Sequence, residues 1–123
     1  MAWHFADETE PVTGIDAARK LRACAAAGNL ETALQHDDGR LLVISSNGDR
    51  ALVMSMDEPG DPGQHAIDPG ASGEVGGYLL SNGQEDRRDN QDTIAFDVAV
   101  DLVREMVDHD RWLPGVQWMN DRG

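Results

Sequence analysis

Residues 57–77, DEPGDPGQHAIDPGASGEVGG, hold three prolines, six glycines and five acids in 21 positions. Proline fixes φ and removes a backbone donor, and glycine weakens any regular element, so no long helix can run through the middle of this chain. Short apolar runs flank the stretch, ALVMSM before it and YLL after it. The fold is thereby held to short strands around an acidic loop, with helices left to the two ends.

The segments on either side fit this restriction. From Leu30 onward short apolar runs alternate with turn residues, which predicts an antiparallel meander rather than alternating βαβ units. Strands are expected at Glu31 to His36, Arg40 to Ser45 and Arg50 to Met56, joined by turns through Asp37-Asp38-Gly39 and Ser46-Asn47-Gly48-Asp49. Period-two alternation puts Leu41, Val43, Leu52 and Met54 on the core face and Leu42, Ile44 and Val53 on the other. Both faces are apolar, so the sheet centre is expected to be covered twice or flanked by a partner. Inside the Gly/Pro stretch His65 to Ile67 can make a brief strand. Gly76 to Ser81 makes a firmer one, and Asn82-Gly83 then turns it into a polar strand that fades into QEDRRDNQD.

Two helices complete the pattern. Thr13 stands at an N-cap with Asp16 three residues on, and Ile15, Ala18, Leu21, Cys24 and Ala25 recur at helical spacing until Gly28. In AFDVAVDLVREMVDH, Phe96, Ala99, Val100, Val103, Met106 and Val107 form an apolar stripe opposite Asp97, Asp101, Glu105 and Asp108. AWHF at the start and Val116 to Met119 at the end read as short outer strands, the last pairing with the sheet after the helix has crossed it. The expectation is a single α+β domain over residues 1–123. It is an antiparallel meander sheet of about five to six strands with two helices, residues 14–27 and 95–109, packed on it.

Charge narrows the function classes. The chain has 23 acidic and 10 basic residues, a formal net charge of -13. Ten acids lie in residues 1–60 and 13 in residues 61–123, so the acidity belongs to a folded surface rather than to a tail. Such a field favours solubility, repels nucleic acid and anionic membranes, and attracts basic partners. A single cysteine, Cys24, allows no internal disulfide and suits a reducing compartment. The first ten residues carry neither a basic segment nor an apolar run of signal-peptide length, and no apolar run approaches a membrane span. A soluble cytoplasmic protein with no membrane contact is expected.

Catalytic signatures are missing from the sequence. It contains no phosphate loop, dinucleotide fingerprint, nucleophile elbow, HExxH or CxxC. His4, His36, His65 and His109 fall in four different expected elements, which argues against a shared zinc site. The acids Asp57, Glu58, Asp61 and Asp68 do not have EF-hand spacing. Cys24 lies on the apolar stripe of its helix without a histidine neighbour, as a structural thiol does. No carboxylate sits in the apolar setting that raises a general acid's pKa. A binding module is therefore expected, with no cofactor, no metal and no direct nucleic-acid contact.

One further reading comes from resemblance. The succession RALVMSMDEPGDPGQHAIDPG, GGYLLSNGQED, DTIAFDVAVDLVREMV and WLPGVQWM resembles immunity protein family one of bacterial polymorphic toxin systems, common in actinobacteria. It covers about Leu41 to Met119, and its matching positions are Gly76, Gly77, Tyr78, Gly83 and Trp118, all assigned to the fold. The resemblance implies a cytoplasmic antidote that binds a cognate secreted toxin domain. A DNA-acting cytosine deaminase is the favoured toxin and a nuclease the next. An acidic protein can fill the basic groove such a toxin needs. The contact residues expected on this reading are Asp57, Glu58, Asp61, Asp68 and Glu74 in the loop, and Glu85, Asp86, Asp89 and Asp92 around the hairpin. A regulatory module for some other basic partner is the competing reading.

Overall fold

The computed structural model describes residues 2–28, 30–79 and 82–122. In chain order these form β1 (Trp3–Phe5), α1 (Gly14–Ala26), β2 (Glu31–His36), β3 (Leu41–Ser46), β4 (Arg50–Met56) and β5 (Gln64–Ile67). There follow β6 (Glu74–Leu79), β7 (Glu85–Asp89), a 3-10 turn (Asn90–Asp92), β8 (Ile94–Ala95), α2 (Phe96–His109) and β9 (Gln117–Asn120). The fold is α+β: β1 to β5 pair successively as an antiparallel meander, β9 adds beyond β5, and β8 pairs with the start of β4.

Turn chemistry explains the meander. Gly39 and Gly48 close the first two hairpins at φ +100 and +94, and the Asn47 side chain accepts the Asp49 and Arg50 amides at 3.0 and 2.8 Å. An Asx turn of this kind leaves β3 and β4 paired from Leu41–Met56 to Ser46–Ala51.

Both helices pack on one face of this sheet. Leu21, Leu34, Leu42, Ile44, Val53, Leu102, Val103 and Met106 form the cluster between them, each at most 3% exposed. The expected phase of the sheet was thus inverted: Leu42, Ile44 and Val53 face the helices, while Leu41, Val43, Leu52 and Met54 lie half-buried on the other side. Alternation sets a period but not a phase when both rows are apolar, and the small Ala51 and Ala66 on the inner row admit the helices. The phase of α1 shifts too. Ile15, expected inside, is exposed, and Gly14, Ala17, Ala18 and Leu21 turn inward. Gly14 is the cause: its amide donates to Asp108 Oδ1 of α2 at 2.7 Å, and a Cβ there would meet that carboxylate. The first turn of α1 is pinned against α2, which favours an anion at its N-terminus. Cys24, expected to be buried, is only partly so.

Thr13 caps α1 by accepting the Asp16 amide at 3.2 Å. A second correction concerns the hairpin. β6 and β7 are not strands of the main sheet but a separate two-stranded ribbon that packs across β3. Asn47 donates to the Gly76 carbonyl at 3.1 Å and fastens the ribbon to the β3–β4 turn. Fully buried Tyr78 belongs to this second contact and not to the cluster beneath the helices. Leu80 and Ser81, expected to end β6, lie outside the described residues. Among the described residues, no helix is long and apolar enough to cross a membrane.

Candidate partner-binding surface

The acids expected as contacts, in the loop and around the hairpin, separate into two groups at opposite ends of β4. Asp57, Glu58 and Asp61 lie in the loop from β4 to β5, while Asp68, Glu74, Glu85, Asp86, Asp89 and Asp92 lie beyond its start, around Arg50 and the ribbon. A seven-residue strand holds its ends about 20 Å apart.

At the first end the three carboxylates differ in what they do. Asp61 Oδ2 accepts the Asp57 amide at 2.9 Å and Oδ1 accepts the Gly63 amide at 3.1 Å. The Arg122 guanidinium grips the same carboxylate with Nε at 3.0 Å from Oδ1 and Nη2 at 2.8 Å from Oδ2. These bonds, Arg122 first and the two backbone amides after it, hold the Asp61 carboxyl far below the usual carboxylate range. Asp61 therefore organises the loop and ties the C-terminal segment to it, and its side chain is only 11% exposed. Asp57 is 78% exposed with Arg122 at 3.4 Å. Glu58 is exposed, and among the described residues it has no ion pair or side-chain hydrogen bond.

At the other end most of the expected contact acids are also committed inside the molecule. Arg50 donates to Asp68 Oδ2 at 2.9 Å, to Thr93 Oγ1 at 2.8 Å and to the carbonyls of Asn90 and Thr93, so Asp68 helps fix the 3-10 turn to β4. Glu74 takes Arg87 at 2.7 Å across the ribbon, and Asp86 lies 3.7 Å from Arg88. Asp92 and Asp121 bracket His65 on β5, at 3.1 Å from Nε2 and 2.7 Å from Nδ1. Both ring nitrogens donate only in the imidazolium. Burial opposes that charge, but the bonds and charges of Asp121 and Asp92 outweigh it and raise the His65 pKa. Glu85 and Asp89 are the exposed acids here without an ion pair or side-chain hydrogen bond among the described residues. Of the nine expected contact residues, Asp57, Glu58, Glu85 and Asp89 are those most available to a partner.

The residues taken as architectural sit as follows. The β6–β7 register shifts between Val75 and Tyr78, and Gly77 at that irregularity adopts φ +88 with its Cβ position 3.3 Å from Asn47 Cβ. Gly76 approaches the Arg87 side chain, and Gly83 turns the hairpin at φ +87. Trp118 on β9 packs against the main core and stacks on Trp112 with ring centroids 4.4 Å apart. Beside that stack a cavity of about 260 Å³ is lined by Trp3, Arg40, Gln64, Met106, Trp112 and Arg122. Its three guanidinium groups, Arg111 being the third, are already paired, Arg40 with Asp38 and Asp110, Arg111 with Glu105 and Arg122 with Asp61. Among the described residues no three His, Cys, Asp or Glu side chains gather so as to hold a metal ion.

Arg50 and Arg122 were given no pairing role in the sequence reading, and His65 was read only as a strand residue and one of four scattered histidines, although each decides which acids are free. Arg122 and Asp61 are 61 residues apart, and no local pattern announces such a pair. The available signal was scarcity: with 10 basic residues against 23 acids, each arginine that pairs decides which few acids are taken. No family model matches this chain, and no curated protein and no solved structure does.

Proposed function

We propose that this chain is a cytoplasmic immunity protein that neutralises a cognate polymorphic toxin domain by binding it one to one. It acts by occlusion rather than by turnover. The observation that carries the reading is a folded surface of net charge -13 on which Asp57, Glu58, Glu85 and Asp89 are exposed with few or no internal counter-charges. A protein so charged repels nucleic acid and is steered toward a basic groove, which is what a nucleic-acid-acting toxin must present. The sequence resemblance supplies the toxin class, a DNA-acting cytosine deaminase first and a nuclease second.

The reading also accounts for where the acids are fixed. Asp61, Asp68 and Asp92 fix the backbone around the loops, which leaves mainly the side chains of the remaining acids to be ordered on binding. Co-expression of the chain with the toxin domain encoded beside it is the test. The expected result is rescued growth and a stoichiometric complex that weakens as salt rises. Continued toxicity together with the absence of a complex at low ionic strength would overturn the proposal.

A further inference from the structure

The two edges of the main sheet are finished differently. At the β1 edge the connector that follows the strand folds back over it: Val12 donates to the Trp3 carbonyl at 3.0 Å and Glu8 to the Phe5 carbonyl at 2.9 Å. The opposite edge, β9, has no such cover among the described residues. Its register settles which groups are free. Asp121 donates to the Gly63 carbonyl at 2.9 Å, so in the antiparallel alternation Met119 and Gln117 bond to His65 and Ile67. The N–H and C=O groups of Trp118 and Asn120 therefore point outward, and no lysine, proline or bulge within β9 blunts them.

Side chains on both faces of this edge are suited to the same use. Trp112, stacked on Trp118 on the helix side, is 37% exposed, and Met119 on the other side is 49% exposed. An incoming strand would cover both at once. Around the edge stand the carboxylates of Asp57, Asp61, Asp92 and Asp121 with Arg122 and His65, and on the Trp112 side Arg40 is held by Asp38 and Asp110 and Arg111 by Glu105, so carboxylates outnumber basic groups. A second copy would bring this acidic surface against itself, whereas a segment bearing lysine or arginine would complement it.

We propose that β9 is a docking edge to which the partner adds an extended segment of about four residues, basic at its ends and apolar between, as a further antiparallel or parallel strand. The inference rests on the immunity reading for the partner's identity, and on the sheet alone for the place. Main-chain bonds to Trp118 and Asn120 supply affinity, and contacts with Trp112 and Met119 set the register.

Asn120→Pro tests it. The Asn120 N–H does not bond to β5, so proline removes an outward donor and no sheet bond, and the bond that the Asn120 side chain accepts from the Arg122 amide at 3.0 Å is lost equally in the alanine variant. With the toxin domain encoded beside the chain, Asn120→Pro should bind at least tenfold more weakly at an unchanged circular dichroism spectrum, and Asn120→Ala should bind as the wild type does. A folded Asn120→Pro chain with wild-type affinity overturns the docking edge and leaves the immunity reading standing. If the proline variant does not fold, amide exchange of the wild type decides. The Trp118 and Asn120 amides should exchange slowly in the complex and fast in the free chain, and equal rates overturn the proposal. A free chain that sediments as a dimer, and as a monomer after Asn120→Pro, overturns the occupant in favour of a second copy. Absence of any complex with the wild-type chain overturns the immunity reading and this occupant together.

Discussion

Gly63 carries more of the fold than the glycines that stood out in the sequence. It has φ +73, and a Cβ there would come 2.3 Å from the Ser55 carbonyl oxygen, a backbone atom of β4 that cannot move aside cheaply. Gly60, three residues earlier at φ +87, faces open space. Gly63→Ala should therefore destabilise the chain by more than the roughly 1–3 kcal/mol of backbone strain alone, and Gly60→Ala by no more than that strain. Urea midpoints of the two variants make the comparison, and equal losses would contradict it. Local sequence does not separate the two, since both follow a proline in the same acidic loop. Only the approach of β5 to β4 distinguishes them. His65 is the other residue whose weight comes from tertiary pairing. Its pKa is raised above the ordinary 6.5 by Asp121 and Asp92 against the opposing effect of burial. A group raised on folding contributes stability that is complete below its unfolded value and is lost as pH climbs through the folded one. Stability should fall as pH rises above 6.5, and the fall should flatten in His65→Gln, as read from denaturant midpoints at pH 6 and pH 9. A wild-type midpoint that does not drop in that window would show that the bracket is not charged.

At the scale of elements the ribbon of β6 and β7 shows what a local reading can and cannot supply. Asn82-Gly83 announces the turn and Gly76-Gly77 the irregularity, and both strands form. Membership of the main sheet was not legible, because it depends on Asn47 reaching the Gly76 carbonyl from a turn 29 residues away. The helices were legible to within a residue at each end, since their caps and stripes are local, yet the inward phase of α1 was set by Gly14 against Asp108 in α2. Of the candidate site, the acidic loop and hairpin were visible as composition. Their division into structural and available carboxylates followed from distant arginines and was not. Tyr78 offers a test of the ribbon's packing. It is fully buried, Arg88 lies 5.3 Å from its ring, and among the described residues its hydroxyl has no hydrogen-bond partner. An unpaired buried hydroxyl confers no bond to lose, so Tyr78→Phe should be neutral or stabilising. Tyr78→Ala should cost about 3–5 kcal/mol through the cavity it leaves. Thermal unfolding of both variants measures this, and a clear loss in Tyr78→Phe would mean the hydroxyl is bonded in solution.

For the molecule as a whole, the balance of 23 acids against 10 basic residues would govern how the proposed partner is met more than how tightly it is held. Long-range steering acts on the association rate and is screened within about 8 Å at physiological ionic strength. Carboxylates with the same formal charge should therefore behave differently according to their internal partners. Asp57 and Glu58 project from the β4–β5 loop beside β9, while Asp61 is closed around Arg122, Asp57 and Gly63. If the proposed toxin domain is the partner, Asp57→Asn with Glu58→Gln should slow its association severalfold and reduce the salt dependence, at a dissociation rate near that of the wild type. Asp61→Asn removes one charge as well, but it also loosens Arg122 and the loop, so its first effect should be a lower unfolding midpoint. Stopped-flow association at two salt concentrations, set beside denaturation of the same proteins, separates these outcomes. If the loop pair changed dissociation alone, its acids would be short-range contacts and the steering role would pass to the remaining surface charge.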